Sequence, residues 1–282
     1  MSFPALHIHH PQSQTHTHTA IMLHGRGSTG PEFAEDLFSS STANNTTKDK
    51  DKNLPASLPT WRWVFPTSKE RWDSRFEEDL SAWFEAYSLA DIEEKEELQV
   101  EGLKDPGAYI LGVLEEEVRG VGGDAGRVFL GGISQGMAMG LWAFFLYVVN
   151  SKMKKALGGV LGFCGWLPFG RVVEEVLGGG GGEVRRVVSA VLGDAAVSDH
   201  GKETGDYDDD AAILRSTPVF LSHGTDDAFV SVDLGREATR VLQQAGIAVE
   251  WYEFVGAEND GHWVKEPEGF DQIVRFLESH SG

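Results

Sequence analysis

Ser134 stands in Gly132-Ile133-Ser134-Gln135-Gly136, a G-x-S-x-G pattern that can present a serine hydroxyl as a nucleophile. In a chain with 34 glycines the pattern alone is weak, and a serine in a structural turn is the competing reading. Context separates the two. A strand-like RVFLG precedes the serine and a long apolar MAMGLWAFFLYVV follows it. Such a strand-turn-helix setting holds a serine on a sharp, exposed turn, with small residues two before and two after it so that strand and helix can approach. A serine hydroxyl reacts poorly until an imidazole takes its proton, so the ten histidines compete for that role. In this setting the partners follow in the order serine, acid, histidine, each in a loop after a later strand. His262 fits, in the loop AENDGH after the strand-like VEWYEFV. His280 falls within or beyond the closing helix, His200 in an acidic segment, and His223 ends a strand, where it reads as holding the loop shape.

The loop after PVFLS reads His223-Gly224-Thr225-Asp226-Asp227 and offers two adjacent carboxylates, only one of which can face the imidazole. Asp227 is the expected acid, with Asp226 as the alternative. A carboxylate there fixes the histidine tautomer and stabilises the imidazolium formed on proton transfer. Hydrolysis of an acyl group also needs donors for the developing alkoxide. The segment Leu23-His24-Gly25-Arg26-Gly27-Ser28 follows an early strand and is expected to present one backbone N–H. The amide of Gln135, just after the serine at a helix N-terminus, is expected to present the other.

These residues need a sheet to stand on. Short apolar segments at 20–23, 61–65, 127–130, 158–163, 218–222 and 249–254 alternate with helical patterns at 107–119, 135–149, 232–245 and 269–280. That alternation predicts an α/β fold with a mostly parallel sheet. The helix after Ser134 is apolar nearly all round and is expected to be buried. At 282 residues the chain fits one domain over 1–282, with loop insertions expected at 39–57, 178–182 and 194–210. The last of these is acidic, ending in DYDDD, and reads as a flexible loop. Histidines 7, 9, 10, 16 and 18 crowd the N-terminus, and THTHT reads as an exposed edge strand rather than a metal site.

A formal charge of −20 repels phosphate backbones and anionic membranes, so nucleic acid is not an expected partner. The longest apolar run is too short to span a bilayer, and no signal-peptide pattern opens the chain, so neither membrane insertion nor export is expected. The lone Cys164 suits a reducing compartment, and a cytoplasmic protein is the expectation. Oligomeric state is not legible.

Taken together, LHGRGS, GISQGM, CGWLP, HGTDD and the Gly261-His262 pair resemble the acyl-protein thioesterase and carboxylesterase family, also called phospholipase/carboxylesterase. The resemblance spans about Ala20 to Leu277. It implies an α/β-hydrolase fold with helices on both faces of the sheet, no cofactor and no metal, and a serine esterase or thioesterase acting through an acyl-serine intermediate. An acyl ester or thioester is the implied substrate, an S-acylated protein among the candidates, with small or xenobiotic esters as the alternative. A non-catalytic binding protein of this fold would need a damaged triad. The family pattern favours Asp227 over Asp226 and assigns the amides of Arg26 and Gln135 to the alkoxide. RWDSRFEED resembles the family's tryptophan-bearing lid region, and Trp72, Trp166, Leu167 and Phe229 are candidate acyl-site residues. Three departures stand out: Arg26 where the family carries an apolar residue, Met137 where glycine is common, and Gly165 inserted into the CGWLP segment. Arg26 argues against a long apolar acyl channel.

Overall fold

The computed structural model describes residues 2–42, 53–74, 77–178, 183–197 and 206–282. Its strands are β1 (His7–His9), β2 (His18–Leu23), β3 (Trp61–Phe65), β4 (Lys69–Asp73), β5 (Glu78–Ala82), β6 (Val128–Ile133), β7 (Gly159–Phe163), β8 (Val219–Gly224) and β9 (Val249–Phe254). Among the described residues seven of them form one sheet in the order β1-β3-β2-β6-β7-β8-β9, parallel throughout except for β1. The other two make an antiparallel hairpin. The central strands are buried on both faces, as helices laid over a parallel sheet require.

The helices are α1 (Gly30–Ser39), α2 (Leu54–Ser57), α3 (Gln99–Gly120), α4 (Gln135–Asn150), α5 (Gly170–Leu177), α6 (Val184–Leu192), α7 (Asp206–Ser216), α8 (Val232–Gln244) and α9 (Glu268–Ser279). The two-residue alternation of a strand sends Ile21 and Leu23 of β2 into one core with α3 to α8. It sends Ala20 and Met22 to the other face, into a second core with α1, α2 and α9. α4 is buried from Gln135 to Val149, as its uninterrupted apolar sequence demands.

Several expectations change here. The helix expected at 107–119 begins eight residues earlier and runs through Pro106. Proline ordinarily breaks a helix interior, but packing overrides propensity. A Cβ on Gly102 would fall 2.2 Å from Phe84 and one on Gly107 2.4 Å from Leu146, so α3 is pressed onto its neighbours. Parts of the expected insertions, 43–52, 179–182 and 198–205, lie outside the described residues, as do 75–76 of the lid-like segment. What is described is ordered differently from a loop. DYDDD opens α7 rather than lying in a loop. Asp210 there pairs with both Arg185 and Lys154, while Ile213 and Leu214 enter the core. Leu54–Ser57 is a short helix capped by the Asn53 side chain. The edge strand is His7–His9; THTHT instead leads into β2, which lies inside the sheet.

Candidate active site

Ser134 sits between β6 and α4 with φ 55° and ψ −122°, a positive-φ backbone conformation rare for a residue with a Cβ. The neighbouring glycines are required by the close approach. A Cβ on Gly132 would lie 2.4 Å from the Gly136 backbone, and one on Gly136 2.1 Å from the Leu23 carbonyl oxygen. The Ser134 amide donates to the Phe163 carbonyl at 2.8 Å, anchoring the turn to β7. Met137 occupies the space left by two absent side chains: a Cβ on Gly162 would fall 2.6 Å from it, and one on Gly165 2.8 Å. The two departures at 137 and 165 are therefore one volume exchange.

His262 Nδ1 donates to Asp227 Oδ2 at 2.7 Å. The other carboxylate oxygen, Oδ1, accepts the backbone N–H groups of Phe229 and Val230 at 2.8 and 2.9 Å. Burial pushes the Asp227 carboxyl upward, but hydrogen bonds from His223, His262 and Val230 outweigh that and hold it well below the usual carboxylate range. Asp226 faces away, accepting from the Gly256 amide at 2.8 Å on the exposed side of the turn. Of the two adjacent carboxylates, only Asp227 meets the imidazole. Cys164 Sγ lies within 4.8 Å of ligand atoms of both Asp227 and His262. Burial pushes its thiol up to about 12, so it stays protonated and unreactive.

A cavity of about 360 Å³ opens above these groups, and its wall includes Arg26, Ser134, Gln135, Trp166, Phe229 and His262. Phe33, Leu89 and Trp263 add apolar wall; Asp36 and Asn259 add polar rim. No direct hydrogen bond joins Ser134 Oγ to His262 among the described residues; such contacts often tighten only with substrate bound. Two of the expected acyl-site residues are elsewhere. Trp72 is 56% exposed on the β4–β5 hairpin, whose alternation turns it to solvent, and it is absent from the cavity wall. Leu167 is buried in the core one residue beyond Trp166 and is not part of this cavity wall. Trp166 and Phe229 do line it.

The loop after β2 is held by a residue the sequence reading passed over. Fully buried His24 donates from Nδ1 to the Gly25 carbonyl at 2.7 Å and accepts the Ser68 amide on Nε2 at 3.0 Å. In a trans peptide the carbonyl and the next N–H point oppositely, so fixing the Gly25 oxygen fixes the direction of the Arg26 amide. Burial pushes His24 down to about 4, which keeps it neutral in these roles. Gln135 likewise serves through its side chain, accepting the Trp83 amide and donating to the Phe84 carbonyl. Both signals were present as polar residues in apolar surroundings. The Arg26 guanidinium pairs with Asp73 at 3.2 Å and donates to the Ala86 carbonyl at 3.2 Å, the acidic partner that a half-buried arginine needs.

Among the described residues no helix is long and apolar enough to cross a membrane. The family described as phospholipase/carboxylesterase matches residues 6–178, more than half of the chain. Acyl-protein thioesterase 1 of Gibberella zeae is 27% identical over 95% of this chain and 92% of its own length. A probable carboxylesterase of Arabidopsis thaliana, SOBER1-like, is 26% identical over 92% of this chain and 76% of its own. The crystal structure of Zea mays acyl-protein thioesterase 2 superposes with a TM-score of 0.69 at 22% identity, covering 99% of this chain and all of that one, a likeness of fold. The chain belongs to the phospholipase/carboxylesterase family of α/β-hydrolases, and it is a hydrolase of the esterase and thioesterase kind.

Proposed function

We propose that this hydrolase cleaves acyl esters and thioesters through an acyl-serine intermediate, with Ser134 as nucleophile, His262 as general base and Asp227 as orienting acid. The observation that carries the reading is that His262, with its Nδ1 proton committed to Asp227, shares one cavity wall with a serine held on a strained turn. Nε2 is then the free basic nitrogen. It takes the proton from Ser134 Oγ as that oxygen attacks the acyl carbonyl, and returns it to the departing alcohol or thiol. Water repeats the sequence on the acyl-serine, releasing the acid and restoring the hydroxyl. The amides of Arg26 and Gln135 are the donors to the alkoxide; the His24 clamp and the N-terminal position in α4 support that assignment.

For the acyl group, the ion pair and carbonyl contact of Arg26 favour short or small esters over palmitoyl length, since they fix a polar segment of the cavity wall. The reading as a thioesterase on S-acylated proteins rests on the named relatives. Action in the cytoplasm is consistent with the single cysteine. A fluorophosphonate probe should label wild type and not Ser134→Ala, and p-nitrophenyl esters of rising chain length should give falling kcat/KM. Labelling that survives Ser134→Ala overturns the nucleophile; a profile that rises to long chains overturns the acyl preference.

A further inference from the structure

Asp227 has one partner more than a serine-histidine-acid site requires. His223 Nε2 lies 3.2 Å from Asp227 Oδ2, the same oxygen that holds His262, and 3.0 Å from the Val230 carbonyl oxygen. His223 is fully buried and takes no part in the cavity wall. Both neighbours of its Nε2 are acceptors only, so that nitrogen carries the proton. Its Nδ1 is buried with no hydrogen-bond partner among the described residues. A second proton there would place an unpartnered N–H on a cation in the interior, so the neutral Nε2–H tautomer is the one that fits.

The ring is also immobile. A Cβ on Gly235 of α8 would fall 2.5 Å from Nδ1 and 2.7 Å from the Trp251 ring of β9, so only glycine leaves room for the imidazole. The titratable groups facing the Asp227 carboxylate are His223, His262 and, from the end of β7, Cys164. Glu253 of β9 interacts electrostatically with His223 and is itself held by Arg236.

We propose that His223 is a positioning residue for the reaction: its Nε2–H, shared with Asp227 Oδ2, fixes the carboxylate and tempers how strongly that oxygen holds the proton of His262. This rests on the assignment of Asp227 and His262 above. Removing the donor leaves Oδ2 a stronger acceptor, which favours protonated His262 and moves the rate–pH midpoint upward. It also frees the carboxylate on one side, so the imidazole spends less time in its working orientation and kcat falls. KM stays, because His223 touches no part of the cavity.

His223→Phe keeps the ring volume and removes the donor; His223→Gln can return an amide N–H to the position of Nε2. For short p-nitrophenyl esters, His223→Phe should lose about 10- to 100-fold in kcat, by analogy with the loss of outer hydrogen-bond partners behind metal-bound ligands. Its KM should hold and its rate–pH midpoint should rise, while His223→Gln should recover most of both. A glutamine variant as impaired as the phenylalanine one would reduce His223 to packing, and a phenylalanine variant matching wild type would remove it altogether. Nitrogen-15 NMR of wild-type protein reads the tautomer without any substitution: Nε2–H is expected, and Nδ1–H or a doubly protonated ring overturns the proposal even if His223→Phe fails to fold. Persistent activity in Ser134→Ala would instead condemn the underlying assignment, an outcome none of these measurements mimics.

Discussion

The two ends of the parallel sheet both carry histidines, and they are used in opposite ways. At the carboxyl ends, His24, His223 and His262 are buried or half-buried, and each meets a directional partner within 3.2 Å. At the opposite end and along the β1 edge, His7, His9 and His18 lie half-exposed against the rings of Phe65, Phe38 and Trp61, and the bonds His18 makes, at 2.9 Å, go to the Thr17 hydroxyl and the Ser281 carbonyl rather than to a carboxylate. His16 reaches a carboxylate only through a hydroxyl, bonding Thr19 at 2.9 Å, which in turn donates to Glu117. Residue type is the same; what differs is the direct carboxylate contact of His223 and His262, the strained serine alongside, and the cavity above. In parallel α/β sheets loops converge at the carboxyl ends of the strands, and function gathers there. Histidine count marks neither end as functional.

The largest effect that separates the ends belongs to Ser134. Ser134→Ala should lower kcat by about 10⁴- to 10⁶-fold with no change of fold, since a single hydroxyl on a half-buried, cavity-lining turn is lost. Next comes the acid. Asp227→Asn should cost about 10⁴-fold by leaving His262 in the wrong tautomer, whereas Asp226→Asn should cost little, because that side chain serves only the Gly256 amide. Steady-state kinetics on both variants decide it, and equal losses would erase the contrast between the two carboxylates. Lowering the pH through the ordinary carboxylate range should cost no activity through Asp227, whose carboxyl is held ionised well below that range, and a rate–pH profile checks it.

The carboxyl end of the sheet was legible because its motifs are written in local order. GISQG and HGTDD each adjoin a strand with a plain apolar run and DGH follows the alternating VEWYEF of β9, and β3 and β9 match their expected bounds residue for residue. What was not legible depends on contacts between distant segments. α3 continues through Pro106 because Phe84 and Leu146 close on its glycines. DYDDD becomes helix because Arg185 and Lys154, far off in sequence, meet Asp210. Trp72 looked like an acyl-site residue by motif, yet hairpin alternation turns it to solvent. The second bond of His223 was out of reach for the same reason: a five-residue loop does not announce that its first histidine folds back onto its last aspartate.

A subtler variant tests the cavity itself. Arg26→Leu, combined with Asp73→Asn so that a buried carboxylate does not lose its cation, should shift the preference toward longer acyl chains. Each methylene that gains apolar contact contributes about 0.8 kcal/mol, roughly fourfold in kcat/KM. Short-ester turnover should persist, since the amide of residue 26 remains. An unmoved chain-length profile would mean that the guanidinium does not bound the acyl site.

The smallest expected effect lies at the other end of the sheet. Burial, reinforced by the charges of His7 and His10, lowers His9; burial also leads the lowering of His16 and His18. Groups whose folded value lies below 6.5 hold fewer protons folded than unfolded, so their contribution to stability is complete above that pH and is lost as pH falls beneath it. His24, pushed down to about 4, extends the same loss further into acid. His9 is the member to remove, because its Nε2 is buried without a partner and its ring packs edge-on against Phe38. His9→Phe should leave activity untouched and make the fall in Tm between pH 8 and pH 5 smaller, by about 1–2 °C given the partial exposure of the edge. Thermal unfolding of both proteins across that range measures it. An identical pH dependence would show that the edge histidines titrate as they do in the unfolded chain, and that burial at this end of the sheet has no electrostatic consequence.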